Sequence, residues 1–160
     1  MTTVAAPYSR IASPERSWWY LGCLVTPLAT AADTGGALSI AECTIRAGVE
    51  PPAHVHSNED EGFYVIDGAM RILLGEDWVD APAGTFSWAP RHIPHSFAVV
   101  GESARVLVMT SPGGFLEQMF SPFSQPARTL TLPEMPDDVP FEAMLALDLR
   151  LGVEYPGVEA

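Results

Sequence analysis

The chain has 160 residues, of which 48% are hydrophobic and only 18% are charged, so we expect one globular domain with a sizeable core. Its 20 acidic and 8 basic residues give a formal net charge of −12, which would repel nucleic-acid backbones and anionic membranes as partners. No stretch approaches the roughly 20 apolar residues that a bilayer crossing needs. Residues 1–16 contain no apolar run of signal-peptide type, which favours a cytoplasmic location.

The N-terminal part of the chain is interpreted as an arm followed by the first strands. Residues 1–17 are small, polar and punctuated by proline, which is typical of an arm. Residues 18–27 are apolar and aromatic, residues 30–36 form a turn-rich break, and residues 38–46 alternate as a β-strand does. Cys23 and Cys43 fall in these apolar segments and lack a metal-binding spacing, so we expect both to be buried.

The middle of the chain consists of short strand-like segments separated by turn residues. We predict strands at residues 53–56, 62–66, 69–74, 78–79, 86–88, 96–100 and 105–110. The dipeptide Asp67-Gly68 predicts a tight hairpin between the second and third of these segments. Glycine, proline or Asx turns recur at the spacing expected of an all-β sandwich or barrel, so the sequence predicts the all-β class.

Helix signals are concentrated near the C-terminus. Residues 114–120 predict a short helix, and residues 141–150 predict an amphipathic helix preceded by Asp137-Asp138 and Pro140 and stopped by Gly152. We expect the second helix to pack on the outside of the barrel. The expected organisation is an arm (1–17), a β-barrel domain (18–120) and a C-terminal extension (121–160).

Histidines and acids are arranged in a pattern that predicts a metal site. His54 and His56 are two residues apart on an extended segment, so both imidazoles point to one face. The turn after them offers three competing acids at positions 59–61, and His95 arrives from a distant strand. Imidazole suits iron, nickel, copper and zinc, and a carboxylate keeps manganese in play. Four protein ligands would leave positions open for water, substrate or oxygen on a metal that prefers five or six.

The spacing of these residues resembles the two motifs of the cupin superfamily, whose fold is a small antiparallel β-barrel of jelly-roll type. The first motif, G-x5-H-x-H-x3–4-E-x6-G, is matched at Gly48, His54, His56, Glu61 and Gly68. The second, G-x5-P-x-G-x2-H-x3-N, is matched at Gly84, Pro90 and His95, with His92 and Val99 standing where glycine and asparagine are usual. The resemblance covers roughly residues 18–120 and selects Glu61, which leaves Glu59 and Asp60 as expected exposed turn residues.

The flanking segments are similar to the small single-domain cupins called quercetin-2,3-dioxygenase-like, through Trp18-Trp19, Ser111-Pro-Gly-Gly-Phe115 and the helical tail. This resemblance implies an oxidoreductase with one divalent transition metal ion, iron first, with nickel, manganese, copper, zinc or cobalt as alternatives. It implies the ligand set His54, His56, Glu61 and His95. Glu61 would also be the catalytic base toward a substrate hydroxyl. A homodimer is expected, in which residues 7–20 could supply an exchanged strand.

The expected substrate pocket is apolar and aromatic. By period-two alternation Phe63 and Val65 share the face of Glu61, Phe97 shares that of His95, and Trp88 is a further pocket residue. Such a wall beside a metal suits a hydrophobic or aromatic small molecule.

Three functions remain open on these residues. The first is a dioxygenase that uses O2 on a flavonol, an enol or another oxygenated aromatic. The second is a non-redox isomerase, cyclase or lyase in which the metal is a Lewis acid. The third is a small-molecule-binding cupin without turnover. The first two use the same four residues, so oxygen consumption separates them.

Overall fold

The computed structural model describes residues 6–156; residues 1–5 of the predicted arm and 157–160 of the predicted extension lie outside the described residues. The α-helices are α1 (Ala31–Thr34), α2 (Phe115–Phe120) and α3 (Phe141–Leu151). The strands are β1 (Trp18–Tyr20), β2 (Cys23–Ala29), β3 (Ser39–Arg46), β4 (Val55–His56), β5 (Asp60–Leu74), β6 (Asp77–Pro82), β7 (Phe86–Ala89), β8 (His95–Ser111), β9 (Ser124–Pro126) and β10 (Val153–Glu154).

Antiparallel sheet dominates the described part of the chain, which confirms the all-β class. The main sheet has the strand order β6-β5-β8-β3-β2-β1-β9. Strand β7 is an additional partner of β5 that this order does not include. A second, two-stranded sheet joins β10 to β4. Strand β3 shows why the sequence forms this sheet: its residues alternate between buried and half-buried, so one face lines the core.

The core lies between the inward faces of the main sheet. Cys23 and Cys43 are both buried free thiols in it, as expected from the sequence. Burial raises the pKa of the Cys23 thiol to about 11 and that of the Cys43 thiol well above its usual value. The two thiols are therefore packing groups in the folded protein.

The predicted hairpin at Asp67-Gly68 is wrong. Residues on both sides of it belong to the single strand β5, which pairs with β8 along its whole length. The register shifts between Val65 and Ala69. On the opposing strand, β8 bulges at the residues after Val100, which include Gly101 at positive φ. Bulges of this kind bend a strand and increase its twist. The glycine turn signals therefore mark bends in two long strands, and the sheet curves around one core.

The N-terminal segment forms a hairpin and a short helix. The predicted apolar stretch 18–27 is divided by Leu21-Gly22, both at positive φ, into β1 and β2. The turn-rich break contains α1, whose N-terminus is capped by reciprocal hydrogen bonds between Thr30 and Asp33, a capping box. Strand β1 also pairs with β9 of the same chain. The exchanged-strand homodimer stays a prediction.

The C-terminal segment returns to the strand that carries the predicted metal ligands. Helix α3 covers the predicted range and ends at Gly152, whose φ of 86° gives the left-handed cap expected of glycine. Strand β10 then pairs Val153 with His56 and Glu154 with Val55. Within residues 6–156, every helix is too short or too polar to cross a membrane.

Candidate metal centre

Four side chains from three parts of the barrel converge on one point. His54 and His56 come from the β4 segment, Glu61 from the start of β5 and His95 from the start of β8. Their donor atoms all lie within 4.8 Å of one another, and all four residues are buried. Reciprocal backbone hydrogen bonds of 3.0 Å and 2.9 Å join His54 to His95 and hold the two distant segments together.

The imidazole nitrogens are oriented for coordination. Nδ1 of His54 lies 2.9 Å from the Pro52 carbonyl, and Nδ1 of His95 lies 3.1 Å from the Ile93 carbonyl. A carbonyl only accepts, so each Nδ1 carries a proton, and Nε2 is the nitrogen whose lone pair would face a metal once that nitrogen is deprotonated. Nε2 of His95 is 2.9 Å from Oε2 of Glu61.

The charges of the site suit a cation. Burial lowers the pKa of His54 and lowers that of His56 to about 4, although the Glu61 charge opposes both shifts. Burial alone would raise the pKa of Glu61, but the hydrogen bond from His95 and the histidine charges hold it below its usual value. The pKa of His95 is raised because its attraction to Glu61 outweighs burial. A carboxylate and neutral imidazoles are the forms that bind metals, so a metal ion would compete with the proton that His95 donates to Glu61.

The residues fit a divalent transition metal. Three imidazoles and one carboxylate are borderline donors suited to such ions. All four residues are buried, and two of the three imidazoles are aligned by backbone carbonyls. The structure therefore contains a four-residue candidate metal site made of His54, His56, Glu61 and His95.

Three of the four expected pocket residues line the barrel interior near this site. Phe63 is buried with its ring centroid 6.3 Å from that of His95, and Val65 is fully buried two residues further along β5. Phe97 packs against the core with its ring centroid 6.0 Å from that of Phe63. These side chains form an apolar wall beside the donors.

Trp88 does not join that wall. It lies on the outer face of β7 and is 44% exposed, next to Phe86. The reason is the alternation of β7, in which Ser87 and Ala89 point inward and the two aromatic residues outward. The aromatic character of Trp88 suggested a pocket residue, but the pairing register of β7 with β5 decides its face.

Glu59 is not the exposed turn residue expected from the sequence. Its side chain is only 13% exposed, and its Oε2 lies 3.6 Å from Nδ1 of His56. Glu59 immediately precedes β5, and the period of two counted back from Glu61 directs its side chain to the same side. Asp60 points away and pairs with Arg91 at 2.9 Å. The period of two was the signal that could have identified Glu59.

Further polar side chains beside the four donor residues could not be predicted from the sequence, because long-range contacts place them. The Tyr155 ring centroid is 6.0 Å from that of His54, and its hydroxyl donates to Asp148 Oδ2 at 2.6 Å. Burial raises the pKa of Asp148, although this hydrogen bond opposes the shift. Thr110 pairs with Glu61 across the sheet and is buried, and its hydroxyl has no partner within the described residues.

His92, at a glycine position of the second motif, keeps the conformation that glycine would adopt. Its φ is 68°, in the left-handed region that costs other residues about 1–2 kcal/mol. Its backbone N–H donates to the His56 carbonyl at 2.8 Å, and this bond holds the turn before His95 against strand β4. Its side chain lies outside the four-residue site. The substitution therefore leaves the ligand geometry intact.

Comparison with known proteins supports the same fold. Residues 41–110 match the family model described as a cupin domain. The chain is similar in structure to KdgF from Halomonas sp., with a TM-score of 0.59 and 21% identity over 68% of this chain and 96% of that chain. An RmlC-like cupin from Shewanella frigidimarina gives a TM-score of 0.55 and 16% identity over 66% and 93% of the two chains.

A third similar structure belongs to a larger protein. It is the oxalate decarboxylase of Bacillus subtilis, which is described as having Mn(II) centres. The TM-score is 0.53 and the identity 22%, over 62% of this chain and 28% of that chain. At these identities the likeness shows the fold. The cupin-domain match thus covers residues 41–110, and the similar structures share the fold of this all-β chain.

Proposed function

We propose that the protein is a metal-dependent dioxygenase acting on a flavonol, an enol or another oxygenated aromatic or hydrophobic small molecule. The observation that carries this proposal is the cluster of four buried donor residues within 4.8 Å of one another. The apolar wall of Phe63, Val65 and Phe97 beside that cluster supports a hydrophobic substrate.

The proposed roles follow from the geometry of the donors. His54, His56 and His95 would hold the metal through Nε2, and Glu61 would complete the set through its carboxylate. Because Glu61 is held in its charged form by the neighbouring histidines, it is also suited to accept a proton from a substrate hydroxyl. The apolar side chains would orient the substrate and exclude water.

The proposed cofactor is one divalent transition metal ion, with iron as the first candidate. When bound, such an ion supplies Lewis acidity toward a substrate oxygen and, if it is redox-active, a route for electrons to O2. Nickel, manganese, copper, zinc and cobalt remain alternatives because the same donor set accepts all of them. The Mn(II) centres of the similar oxalate decarboxylase support keeping manganese in this group.

A second candidate is a non-redox metalloenzyme, an isomerase, cyclase or lyase. The shared fold with an oxalate decarboxylase, an enzyme named for carbon–carbon bond cleavage, favours it. The four donor residues would have the same ligand roles, and Glu61 would again be the proton acceptor. The homodimer and the cytoplasmic location stay predictions beside either function.

Elemental analysis of the purified protein and of a His54→Ala variant tests the site. We expect about one transition-metal ion per chain in the wild type and a large loss in the variant, because one of four donors is removed. Full metal content in His54→Ala would refute the site assignment.

Oxygen uptake with a panel of flavonols and β-diketones, after reconstitution with each metal, tests the reaction. Uptake supports the dioxygenase. Metal binding without uptake on any compound favours the non-redox enzyme or a cupin that binds small molecules without turnover.

A further inference from the structure

The three histidines differ in how their second ring nitrogen is held. Nδ1 of His54 and Nδ1 of His95 each bond to a carbonyl two residues earlier in the chain, Pro52 and Ile93. These bonds fix the tautomer and the ring orientation that present Nε2 to a metal. Nδ1 of His56 has no hydrogen-bond partner among the described residues, although the ring is buried. One of the three rings therefore lacks the support that the other two have.

Glu59 lies where that support would come from. Its Oε2 faces Nδ1 of His56 at 3.6 Å, just beyond hydrogen-bond length, and it too is buried without a partner. Two complementary buried polar atoms, each unsatisfied and facing the other, are rare in folded proteins and call for an explanation. Nε2 of His56 points the opposite way, 3.4 Å from Oε2 of Glu61. The His56 ring therefore lies between two carboxylates, with Glu59 facing its Nδ1 and Glu61 facing its Nε2.

We propose that Glu59 is a positioning residue for His56 when the site is metal-loaded. Its carboxylate accepts a hydrogen bond from the Nδ1–H of His56, which fixes the tautomer with a free Nε2 and raises the basicity of that nitrogen. The inference rests on the proposed metal site and adds a fifth residue to it. It assigns different tasks to neighbouring acids, since Glu61 is a ligand, Glu59 orients a ligand, and Asp60 pairs with Arg91.

The test is titration of the metal-free protein with Co²⁺, followed by calorimetry and by the visible absorption of the bound ion. Glu59→Ala should raise the Kd by about 10–100-fold, the usual effect of losing such an outer partner. Glu59→Gln should lose less Co²⁺ affinity, because its amide oxygen still accepts a hydrogen bond from the Nδ1–H of His56. Asp60→Asn is the matched control: it removes one negative charge from the same turn but from a side chain bonded to Arg91, and its Kd should stay close to wild type.

A spectroscopic readout distinguishes orientation from a purely structural role. In the Zn²⁺-loaded protein, nitrogen-15 NMR of the histidines should show a slowly exchanging Nδ1–H on His56 in the wild type and in Glu59→Gln, and its loss in Glu59→Ala. Thermal unfolding of each variant checks that it is folded.

Three results would overturn the inference. The first is an unchanged Kd in Glu59→Ala. The second is an equal loss of Co²⁺ affinity in Glu59→Ala and Asp60→Asn, and the third is an equal loss of affinity in Glu59→Ala and Glu59→Gln. A wild-type protein that binds no Co²⁺ would instead refute the metal site itself.

Discussion

Truncating Val153 tests whether the C-terminal segment stabilises the strand that carries His56. Val153 is 2% exposed, packs in the core and pairs with His56 in the β10–β4 sheet. Val153→Ala removes two buried carbons, about 1.6 kcal/mol at roughly 0.8 kcal/mol each. The cavity left behind raises the cost to about 2–3 kcal/mol. At about 2–4 °C per kcal/mol for a chain of this size, the Tm should fall by about 4–12 °C.

Differential scanning calorimetry of the metal-free protein measures this shift. Glu154→Ala is the control, because Glu154 is the neighbouring residue on the same strand and is exposed, with only a side-chain bond from Ser57 at 3.1 Å. A surface change of this kind costs about 0.5 kcal/mol or less. If Val153→Ala lowers the Tm no more than Glu154→Ala does, the C-terminal strand does not pack on β4 and the reasoning is wrong.

Two further predictions concern a motif glycine and the Asp60 ion pair. Gly68→Ala should lower the free energy of unfolding by about 2–4 kcal/mol, because its φ is +78° and an added Cβ would lie 2.9 Å from the Ser103 carbonyl; urea unfolding measures this. Asp60 is held by Arg91 at a pKa of about 2 against 3.8 when free. Since the folded-state pKa is depressed, the pair stabilises the fold by about 1 kcal/mol above about pH 4, and this is lost as pH falls toward about 2. The stability gap between wild type and Asp60→Asn should therefore narrow over that range.

Each of these predictions has a matched comparison. Gly84 has a similar φ of +91° and open space around an added Cβ. Gly84→Ala should therefore lower the free energy of unfolding only by the backbone term of about 1–2 kcal/mol. Equal losses in the two alanine variants would show that the close approach to Ser103 is unimportant. A gap between wild type and Asp60→Asn that stays constant from pH 6 down to about pH 3 would contradict the ion-pair argument.

The sequence predicted those parts of the fold that depend on short-range order. Alternation over residues 38–46 was enough to predict β3, and Gly152 marked the end of α3 correctly. Glycine turn signals were ambiguous, because a glycine at positive φ serves a hairpin or a bulge equally well. Gly68 and Gly101 lie at bends in long strands, and only the pairing of β5 with β8 separates these alternatives.

Local periodicity and motif spacing were enough to predict the all-β class and the candidate metal donors. The tertiary structure alone decided which neighbours surround those donors. It turned Trp88 outward, brought Tyr155 and Asp148 to His54, and buried Glu59 behind His56. These placements depend on strand register and on the docking of a segment some 90 residues away in the chain. A one-residue change of register reverses the face of every side chain on a strand, and composition does not record it.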